Sequence, residues 1–344
     1  MPAPTQPQPR RRRRWPRVLV GVAAVLALLS VATVVTGVVL VRRYEGSVHQ
    51  ATLLDSGARA HSEAGLVSVQ GPLNYLLLGS DQRPGDTTDG ERSDTIILVH
   101  VPASLDGAYL ISIPRDLLVD IPPDPATDFT GSSEKINAAF DHGGGGTGGF
   151  QLMSRTLTQL TGVRFDGAAI IDFTGFQRVL SLLGGVDMCV DERTVSIHTG
   201  AVYQPGCQHL RPWQALDYVR QREDLPNGDY DRQRHQQQLL KALLTEAGRQ
   251  GLTSNPVKLD QLIRAVGSSL TVDTNGVPIS ALVYSLHGIG SDNLVGIRLP
   301  SDPALQDGIS YVFPQPEAAS LYKAIAGDTL ASWLAANPTW RNPL

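Results

Sequence analysis

After residue 72 the chain is a succession of short apolar stretches separated by polar, glycine-rich turns. Residues 73–78, 95–101 and 108–113 are rich in branched side chains and are bounded by Gly, Pro and Asp. Apolar stretches of this length and composition predict β-strands. The same pattern predicts three further strands, at residues 168–171, 186–190 and 294–299.

Helices are predicted where apolar residues recur at spacings of three and four. The stretch 173–183 has this periodicity and ends at Gly184. One helix is expected to begin at Pro212 and to reach residue 222, and a long helix is expected to begin at Asp229. Further helices or helical turns are predicted at residues 134–140, 150–160, 262–270 and 279–287, with short helices after 299. Because strands and helices alternate, the predicted class is α/β, with a mixed sheet covered by helices.

The N-terminal region predicts a membrane anchor. Residues 18–41 carry no charged side chain and are long enough to span a bilayer with some tilt. Six arginines precede this stretch and two follow it, so the positive-inside rule places the N-terminus in the cytoplasm. A cleaved signal peptide is the alternative, but its apolar core would be shorter. We therefore predict a cytoplasmic basic tail at 1–17, a transmembrane helix at 18–41, a juxtamembrane stalk at 42–71 and an extracytoplasmic domain at 72–344, held by a single span at the plasma membrane.

The formal net charge of −4 conceals an asymmetry along the chain. Eight of the 29 Lys and Arg residues precede Tyr44, where no acidic residue occurs. The rest of the chain has 21 basic against 33 acidic residues, a balance of −12. Such an acidic domain argues against nucleic acid as a partner. It also makes a local cluster of arginines notable.

Charged side chains gather where the first three predicted strands end. Asp81 follows the first strand, Arg92 and Asp94 precede the second, and Arg115 follows the third. Loops at strand ends commonly carry binding groups. Carboxylates beside arginines suit a divalent metal bound to phosphate, because hard oxygens hold Mg²⁺ and guanidinium groups grip phosphate oxygens. A surface turn with ordinary salt bridges is the alternative for each residue taken alone.

A second basic cluster lies around the start of the long predicted helix. Arg220 and Arg222 stand at the end of the preceding helix. On the long helix, Arg232, His235, Gln236 and Leu239 fall at spacings of three and four and are expected to share a face. A solvated, polar helix start is the alternative interpretation.

Two cysteines, Cys189 and Cys207, occur in the whole chain. On an extracytoplasmic chain they are expected to form one disulfide, with two independent buried thiols as the alternative. The glycine-rich stretch 142–149 lacks the Lys-Ser/Thr ending of a nucleotide-binding loop and is interpreted as a rim.

Seven ordered motifs resemble the LytR-CpsA-Psr family of cell-wall ligases. They are NYLLLGSD, ERSDTIILV, SIPRD, KINAAF, DFTGFQRVLSLLGGVDM, LRPWQALDYVRQR and DYDRQRHQQQ. The resemblance implies a three-layer α/β/α fold with a long apolar pocket for a lipid chain and with arginines and Mg²⁺, or Mn²⁺, at its mouth. It also implies a membrane-anchored phosphotransferase that moves a glycopolymer from a polyprenyl-pyrophosphate carrier to a hydroxyl of the peptidoglycan acceptor in cell-wall assembly.

The resemblance assigns roles residue by residue. Asp81 and Asp94 match the metal-associated carboxylates, with Asp94 the first choice as metal ligand and Asp81 placed to orient Arg115 or to accept a proton. The pyrophosphate-binding positions are matched by Arg92, Arg115, Arg220, Arg222, Arg232 and Gln236. Asp231 and His235 depart from the family pattern, where Gly and Arg are common, and His235 is expected to weaken or lose one phosphate contact.

Two other functions fit the same residues. A polyprenyl-pyrophosphate hydrolase would use the same metal site with water as the acceptor. A non-enzymatic envelope regulator or lipid-binding protein would need no catalytic residue. The apolar face of the 173–183 helix can contact a lipid or simply pack in the core; its members are Phe173, Phe176, Val179, Leu180 and Leu183.

Overall fold

The computed structural model describes residues 49–60, 69–80, 93–223, 225–252 and 269–344. The predicted transmembrane helix, Asp81, Arg92 and most of the predicted helix 262–270 lie outside these residues. Within the described residues, no helix is both long and apolar enough to cross a bilayer.

The described residues form sixteen strands and eight α-helices. The strands are β1 His49–Gln50, β2 Leu73–Ser80, β3 Ser93–Val101, β4 Ala108–Ser112, β5 Leu118–Ile121, β6 Ser132–Lys135, β7 Gly167–Asp172, β8 Val186–Val190, β9 Thr194–Val195, β10 Val202–Tyr203, β11 Gly206–Leu210, β12 Leu270–Asp273, β13 Leu294–Arg298, β14 Ser301–Gln306, β15 Ile309–Pro314 and β16 Arg341–Asn342. The helices are α1 Ala138–His142, α2 Gly146–Thr161, α3 Phe173–Leu183, α4 Pro212–Tyr218, α5 Asp229–Arg249, α6 Ile279–Leu286, α7 Pro316–Ala326 and α8 Leu330–Ala336.

Eight of the described strands form one mixed sheet in the order β1-β12-β7-β2-β3-β4-β13-β16. At its centre β2 and β3 run antiparallel, while β2 and β7 run parallel, as do β4 and β13. The prediction of an α/β fold with a mixed central sheet is therefore confirmed. The parallel pairing brings the C-terminal ends of β2 and β7 to one edge, and the site is built at that edge.

Alternation along the central strands gives the sheet two covered faces. Leu76 and Leu98 are buried in a large core with residues of α1, α2, α7 and α8, such as Phe150 and Leu321. Leu77 and Ile97 point the other way, into an apolar pocket walled by α3, α4 and α5. Helices thus lie on both faces, and only one face carries the pocket.

A buried amide fixes the long helix α5 against the sheet. Nε2 of Gln237 donates to the backbone oxygens of Leu110 in β4 (2.8 Å) and Ile297 in β13 (3.1 Å). Its Oε1 accepts from Asn342 in β16 (2.8 Å). The helix can come this close because residue 296 is glycine: a Cβ there would lie 2.4 Å from Oε1 of Gln237.

The folded part begins earlier than the boundary predicted at residue 72. Residues 49–60, which the sequence suggested to be part of a stalk, contribute strand β1 to the sheet edge and bury Leu53 and Leu54. Arg59 forms a salt bridge with Asp273 of β12 at 2.7 Å. A two-residue strand is too short to produce an alternating pattern, which is why the sequence did not predict it.

Three other predicted elements differ from the structure. The predicted helical turn at 134–140 begins as strand β6, and helix α1 starts only at Ala138. The helix from Pro212 ends at Tyr218, so the two arginines beyond it lie in the following turn. After β13 the chain forms the hairpin β14–β15 and strand β16 in addition to the predicted helices.

Candidate functional site

The apolar pocket lies between the sheet and helices α3, α4 and α5. It encloses about 660 Å³ of empty space, including its open mouth. It is lined by Leu77, Leu78, Gly79, Thr95, Ile97, Ile171, Asp172, Phe173, Phe176, Leu216, Val219, Arg220, Gln236, Leu239 and Leu240. Asp172, Arg220 and Gln236 are the larger polar members of this lining, so an otherwise apolar cavity carries a small set of polar groups, as ligand pockets usually do.

Helix α3 contributes to the pocket with only part of its apolar face. Phe173 and Phe176, at the start of the helix, line the pocket. Leu180 is fully buried instead, in a core cluster with Tyr218 and Leu239, and Leu183 is also buried. The helix start is fixed by Asp172, whose Oδ1 accepts from the backbone N–H of Gly175 at 2.7 Å.

Arg115 and Asp94 meet beside this pocket. Asp94 lies near the start of β3, next to the pocket residue Thr95, and Arg115 follows β4. The guanidinium of Arg115 donates to the Asp94 carboxylate. Burial lowers the pKa of Arg115, but the carboxylates of Asp94, Asp116 and Asp229 outweigh burial and raise the pKa above its ordinary value. The guanidinium group therefore stays charged in a half-buried position.

Arg232 enters the same cluster from helix α5. Its Nη2 donates to the backbone oxygen of Asp94 at 3.0 Å and pairs with the Asp229 carboxylate at 2.6 Å. Only 5% of Arg232 is exposed. Burial lowers its pKa; Asp229 and Asp94 oppose the shift, while Arg115 and Arg222 add to it. Two guanidinium groups and two carboxylates are thus in electrostatic contact at one point.

The cluster has hydrogen-bonding capacity left over for a ligand. The Nε atoms of Arg115 and Arg232 are buried and have no hydrogen-bond partner among the described residues. A buried donor without a partner costs free energy. An anionic ligand is the kind of acceptor that such guanidinium donors bind.

The remaining predicted arginines lie around the cluster. Arg220 lines the pocket and holds its guanidinium carbon 4.3 Å from the centre of the Phe173 ring, a cation–π contact. Arg222 is exposed and acts electrostatically on Arg232. Gln236 lines the pocket one turn after Arg232. The structure therefore groups Asp94, Arg115 and Arg232 by direct contact, with Arg220, Arg222 and Gln236 around them.

His235 does not share the face of Arg232, contrary to the prediction. Its ring stacks on Tyr218 with centroids 4.5 Å apart, and its Nε2 lies 3.1 Å from the Tyr218 hydroxyl. Burial, together with neighbouring Arg234, lowers its pKa to about 4. A spacing of three places residue 235 on the flank of the helix, and that flank packs against α4. The imidazole is therefore neutral and directed away from the arginine cluster.

Asp231, the other departure from the family pattern, stabilises the start of α5. Its carboxylate accepts from the backbone N–H of Asn227 at 2.9 Å and pairs with Arg234 at 3.0 Å. Burial opposes ionisation, but these partners outweigh it and lower the pKa of Asp231. An acidic residue in the first turn also suits the helix dipole.

Three further residues shape the site, although the sequence did not single them out. Asp229 pairs with Arg232. Asp116 lies 3.8 Å from Nε of Arg115 and pairs with Lys135 at 2.9 Å. Asp116 and Asp229 each lie within three positions of a predicted arginine, and this proximity could have identified them from the sequence. Lys135, the last residue of strand β6, begins the KINAAF motif, but the sequence analysis gave this lysine no role in the site.

The residues present fit a metal ion that takes some of its ligands from a substrate phosphate. The described residues contain no group of three or more His, Cys, Asp or Glu side chains that could hold a metal ion. Mg²⁺ usually binds through one or two carboxylates together with substrate phosphates, not through a cage of protein ligands. Asp94, with arginine donors around it, matches that arrangement.

The predicted disulfide is present. Cys189 of β8 and Cys207 of β11 lie directly opposite each other in an antiparallel pair and are bonded. Both residues are exposed, on the outer face of the pair, while Met188 and Val190 face the core.

Fold and site together define a protein that can hold an apolar chain in a pocket and an anionic head group beside it. The model of the LytR_cpsA_psr family matches residues 38–326. The chain belongs to this family.

Similar proteins support that assignment. The polyisoprenyl-teichoic acid–peptidoglycan teichoic acid transferase TagU of Oceanobacillus iheyensis is 28% identical over 90% of this chain and 92% of its own length. The cell wall biosynthesis protein LcpA of Corynebacterium glutamicum is 28% identical over 87% of this chain and 62% of its own length. The crystal structure of Bacillus subtilis TagV has a TM-score of 0.60 and 24% identity, covering 76% of this chain and 98% of TagV, and thus shares the fold.

Proposed function

We propose that this protein is a phosphotransferase that moves a glycopolymer from a polyprenyl-pyrophosphate carrier to a peptidoglycan hydroxyl. Proteins of its family transfer such polymers to peptidoglycan, as the name of TagU states for that relative. The observation that carries the proposal is the position of the arginine cluster. Arg115 and Arg232 meet at Asp94, directly beside Thr95 of the apolar pocket, so one amphiphile can reach both.

Each part of the carrier has a place in this arrangement. The prenyl chain would occupy the pocket, against Phe173, Phe176 and Leu216. The pyrophosphate would accept hydrogen bonds from the Nε atoms of Arg115 and Arg232, with Arg220 and Arg222 adding positive charge. Gln236 lines the pocket one turn after Arg232 and would contact the carrier where its prenyl chain meets the pyrophosphate.

The chemistry converts the phosphoanhydride of the carrier into a phosphodiester between the glycopolymer and the acceptor. The acceptor hydroxyl oxygen forms a bond to the phosphorus that bears the glycopolymer, and the bridging P–O bond breaks. The acceptor loses its proton to a base, and polyprenyl phosphate leaves with the bridging oxygen. Negative charge grows on the leaving phosphate, and fixed arginine charges stabilise it.

Asp94 takes a role that the sequence analysis considered for Asp81. Its side chain orients Arg115, a task considered above for Asp81, while Asp94 also remains the first choice as a metal ligand. The metal, Mg²⁺ or Mn²⁺, would neutralise charge on the pyrophosphate when bound. Asp81 and Arg92 belong to the same proposal as further site residues.

The proposal includes the predicted anchor. Residues 18–41 would span the plasma membrane once, with the N-terminus in the cytoplasm and the site outside.

The test is a transfer assay with the full chain in detergent. A synthetic polyprenyl-pyrophosphate glycan and a muropeptide are supplied with Mg²⁺ or with EDTA, and products are followed by mass spectrometry. We expect a glycan-phospho-muropeptide that requires the metal and that Arg115→Ala abolishes. Release of glycan phosphate without this product would indicate a hydrolase. Tight retention of the lipid without turnover would indicate a binding protein.

A further inference from the structure

Strands β9 and β10 form a small ribbon, residues 194–203, whose two faces differ sharply. In its antiparallel register Val195 pairs with Val202 and Thr194 with Tyr203. Thr194, Ser196 and Tyr203 face inward and are buried. On the outer face Val195, Ile197 and Val202 are 37%, 47% and 47% exposed, respectively. The 194–203 ribbon thus presents an apolar face to the outside, unlike an ordinary surface hairpin.

The ribbon is held rigidly from below by one buried carboxylate. Asp217 of α4 accepts hydrogen bonds from the hydroxyls of Ser196 (2.8 Å), Thr199 (3.0 Å) and Tyr203 (2.6 Å). The Cys189–Cys207 disulfide joins the two strands from which the ribbon extends. The outer apolar side chains are therefore displayed on a fixed platform.

Helix α4 connects this platform to the lipid pocket. One side of the helix supplies Leu216 to the pocket lining, and another supplies Asp217 to the ribbon. At the start of the same helix, Trp213 is 40% exposed, and the guanidinium of Arg211 lies 5.5 Å from the centre of its ring. The Tyr203 hydroxyl also lies 3.2 Å from the backbone oxygen of the next residue, Gln214, so the start of the helix packs under the ribbon.

The charge of this region is opposite to that of the domain around it. Residues 193–216, between Glu192 and Asp217, contain no Asp or Glu, whereas the chain from Tyr44 onward has a balance of −12. Arg193 and Arg211 are both exposed at the two ends of the region. Apolar side chains with Trp and Arg at their border are typical of surfaces that bind at a membrane interface, where the Arg side chains meet anionic head groups.

We propose that the outer face of the 194–203 ribbon, with Trp213, docks on the surface of an anionic lipid bilayer. The face is apolar at its centre, and exposed Arg193, two residues before Val195, adds a positive charge that complements anionic head groups above an acyl layer. The proposal rests on the proposed function in one respect: a polyprenyl carrier resides in the bilayer. Because α4 carries both the platform and a wall of the pocket, docking brings that wall to the surface from which a prenyl chain must enter.

The test measures membrane contact directly, without an activity assay. The full chain is reconstituted in nanodiscs of equal parts phosphatidylglycerol and phosphatidylethanolamine, with a nitroxide on Ile197→Cys. Collision rates with oxygen, which dissolves in lipid, and with a water-soluble nickel chelate report the label's environment. The matched control is Leu305→Cys, in the β14–β15 hairpin, where the native side chain is 75% exposed but Asp302 and Asp307 stand nearby.

We expect the label at 197, compared with the same protein in detergent, to gain oxygen collisions and to lose nickel collisions several-fold. The label at 305 should keep its nickel collisions in both media. Nickel collisions at 197 that equal those at 305 in nanodiscs would overturn the proposal. Shielding at 197 that persists in detergent and rises with protein concentration would show that a second copy covers the ribbon, and would overturn it too.

Charge and fold are controlled separately. Nanodiscs of phosphatidylcholine, or the variant Arg193→Glu/Arg211→Glu, should weaken the shielding, whereas equal shielding on neutral lipid would contradict a role for the basic border. The unlabelled variant Val195→Asp/Ile197→Asp should retain the wild-type melting temperature and its turnover in detergent, while Arg115→Ala loses turnover. If wild-type turnover is absent, the proposed function fails and the labelling result stands by itself.

Discussion

Arg232 donates a hydrogen bond from Nη2 to the backbone oxygen of Asp94 at 3.0 Å, and the side chain of the same Asp94 holds Arg115. One residue near the start of β3 therefore positions two guanidinium groups that come from distant parts of the chain. A bond to the backbone oxygen does not depend on the protonation of the Asp94 carboxylate. Arg232 would thus keep its position when the Asp94 carboxylate binds a metal or is protonated.

Replacing Arg232 should reduce catalysis more than stability. Arg232→Ala removes a buried charge that would stabilise the transition state, so we expect kcat/KM for glycopolymer transfer to fall by about 10²–10³-fold. For Arg232→Lys, kcat/KM should lie between these values, because an ammonium group keeps the charge but lacks the separate Nε donor that Arg232 holds without a partner. Arg234→Ala is the matched control: this arginine of the same helix pairs with Asp191 and Asp231 on the other flank. Equal losses in Arg232→Ala and Arg234→Ala would contradict the assignment.

His235 should make the protein less stable as the pH falls. Its pKa is about 4 when folded and near 6.5 when unfolded. Between these values the unfolded chain takes up a proton that the folded chain does not, so the free energy of unfolding decreases as the pH drops from about 6.5 to about 4. The full decrease is about 3 kcal/mol.

The variant His235→Gln isolates this contribution. Urea unfolding of wild type and variant is followed by tryptophan fluorescence at a series of pH values. The difference between the two free energies should be constant above about pH 7 and should change by about 3 kcal/mol on reaching about pH 4. If the free energies of unfolding of wild type and His235→Gln kept a constant difference over this pH range, the folded His235 would have an ordinary pKa.

Narrowing the pocket should discriminate against the lipid part of the substrate. Leu216→Trp places a larger side chain in the pocket lining, so the affinity for a long polyprenyl pyrophosphate should fall roughly tenfold, about 1.4 kcal/mol. Inorganic pyrophosphate should compete as well as before, because it needs only the arginines. Leu182→Trp, at an exposed position of α3, is the control. Calorimetric titrations measure the affinity for each ligand. If Leu216→Trp lowered both affinities equally, the assignment of the lipid to the pocket and of the pyrophosphate to the arginines would be wrong.

Removing the carboxylate beneath the 194–203 ribbon should destabilise the fold. Asp217→Ala leaves the buried hydroxyls of Ser196 and Tyr203, and the exposed hydroxyl of Thr199, without their acceptor. We expect the free energy of unfolding to fall by about 1–3 kcal/mol. Asp187→Ala removes a carboxylate whose partners, His209 and Arg249, are largely exposed, so it should change stability by less than about 1 kcal/mol. Denaturant unfolding measures both variants, and an equal loss of unfolding free energy in the two would show that Asp217 does not anchor the ribbon.

The sequence predicted the central strands and α3 well because each has a strong local signal. Residues 73–78 and 95–101 belong to strands paired at the centre of the sheet, and α3 spans the predicted 173–183. Strand β1 was not predicted, since its stability comes from pairing with residues distant in sequence. The hairpin β14–β15 is local, because Gln306 pairs with Ile309 across the Asp307-Gly308 turn, and the sequence analysis did not use that turn signal. β1, for example, exists only because β12 lies beside it.

The site was predicted in part for a similar reason. Arg115 and Arg232 were found through short motifs, and the structure brings both to Asp94. His235 was placed wrongly because helical spacing gives only the direction of a side chain around the helix axis. Which residue the side chain contacts depends on tertiary packing, here on the Tyr218 ring. Lys135 could not be predicted, because its link to Asp116 depends on how β6 folds back beside β5.

The close approach of Gln237 to Gly296 has a consequence for how this protein can diverge. A side chain at 296 would occupy the space of the Gln237 amide, and a shorter residue at 237 would leave the oxygens of Leu110 and Ile297 without their donor. Each change alone should destabilise the fold. When both occur together, the side chain at 296 fills the space that the Gln237 amide leaves. Among related chains that keep α5 at this distance from the sheet, these two positions should covary, and a glycine at 296 should accompany a long amide at 237.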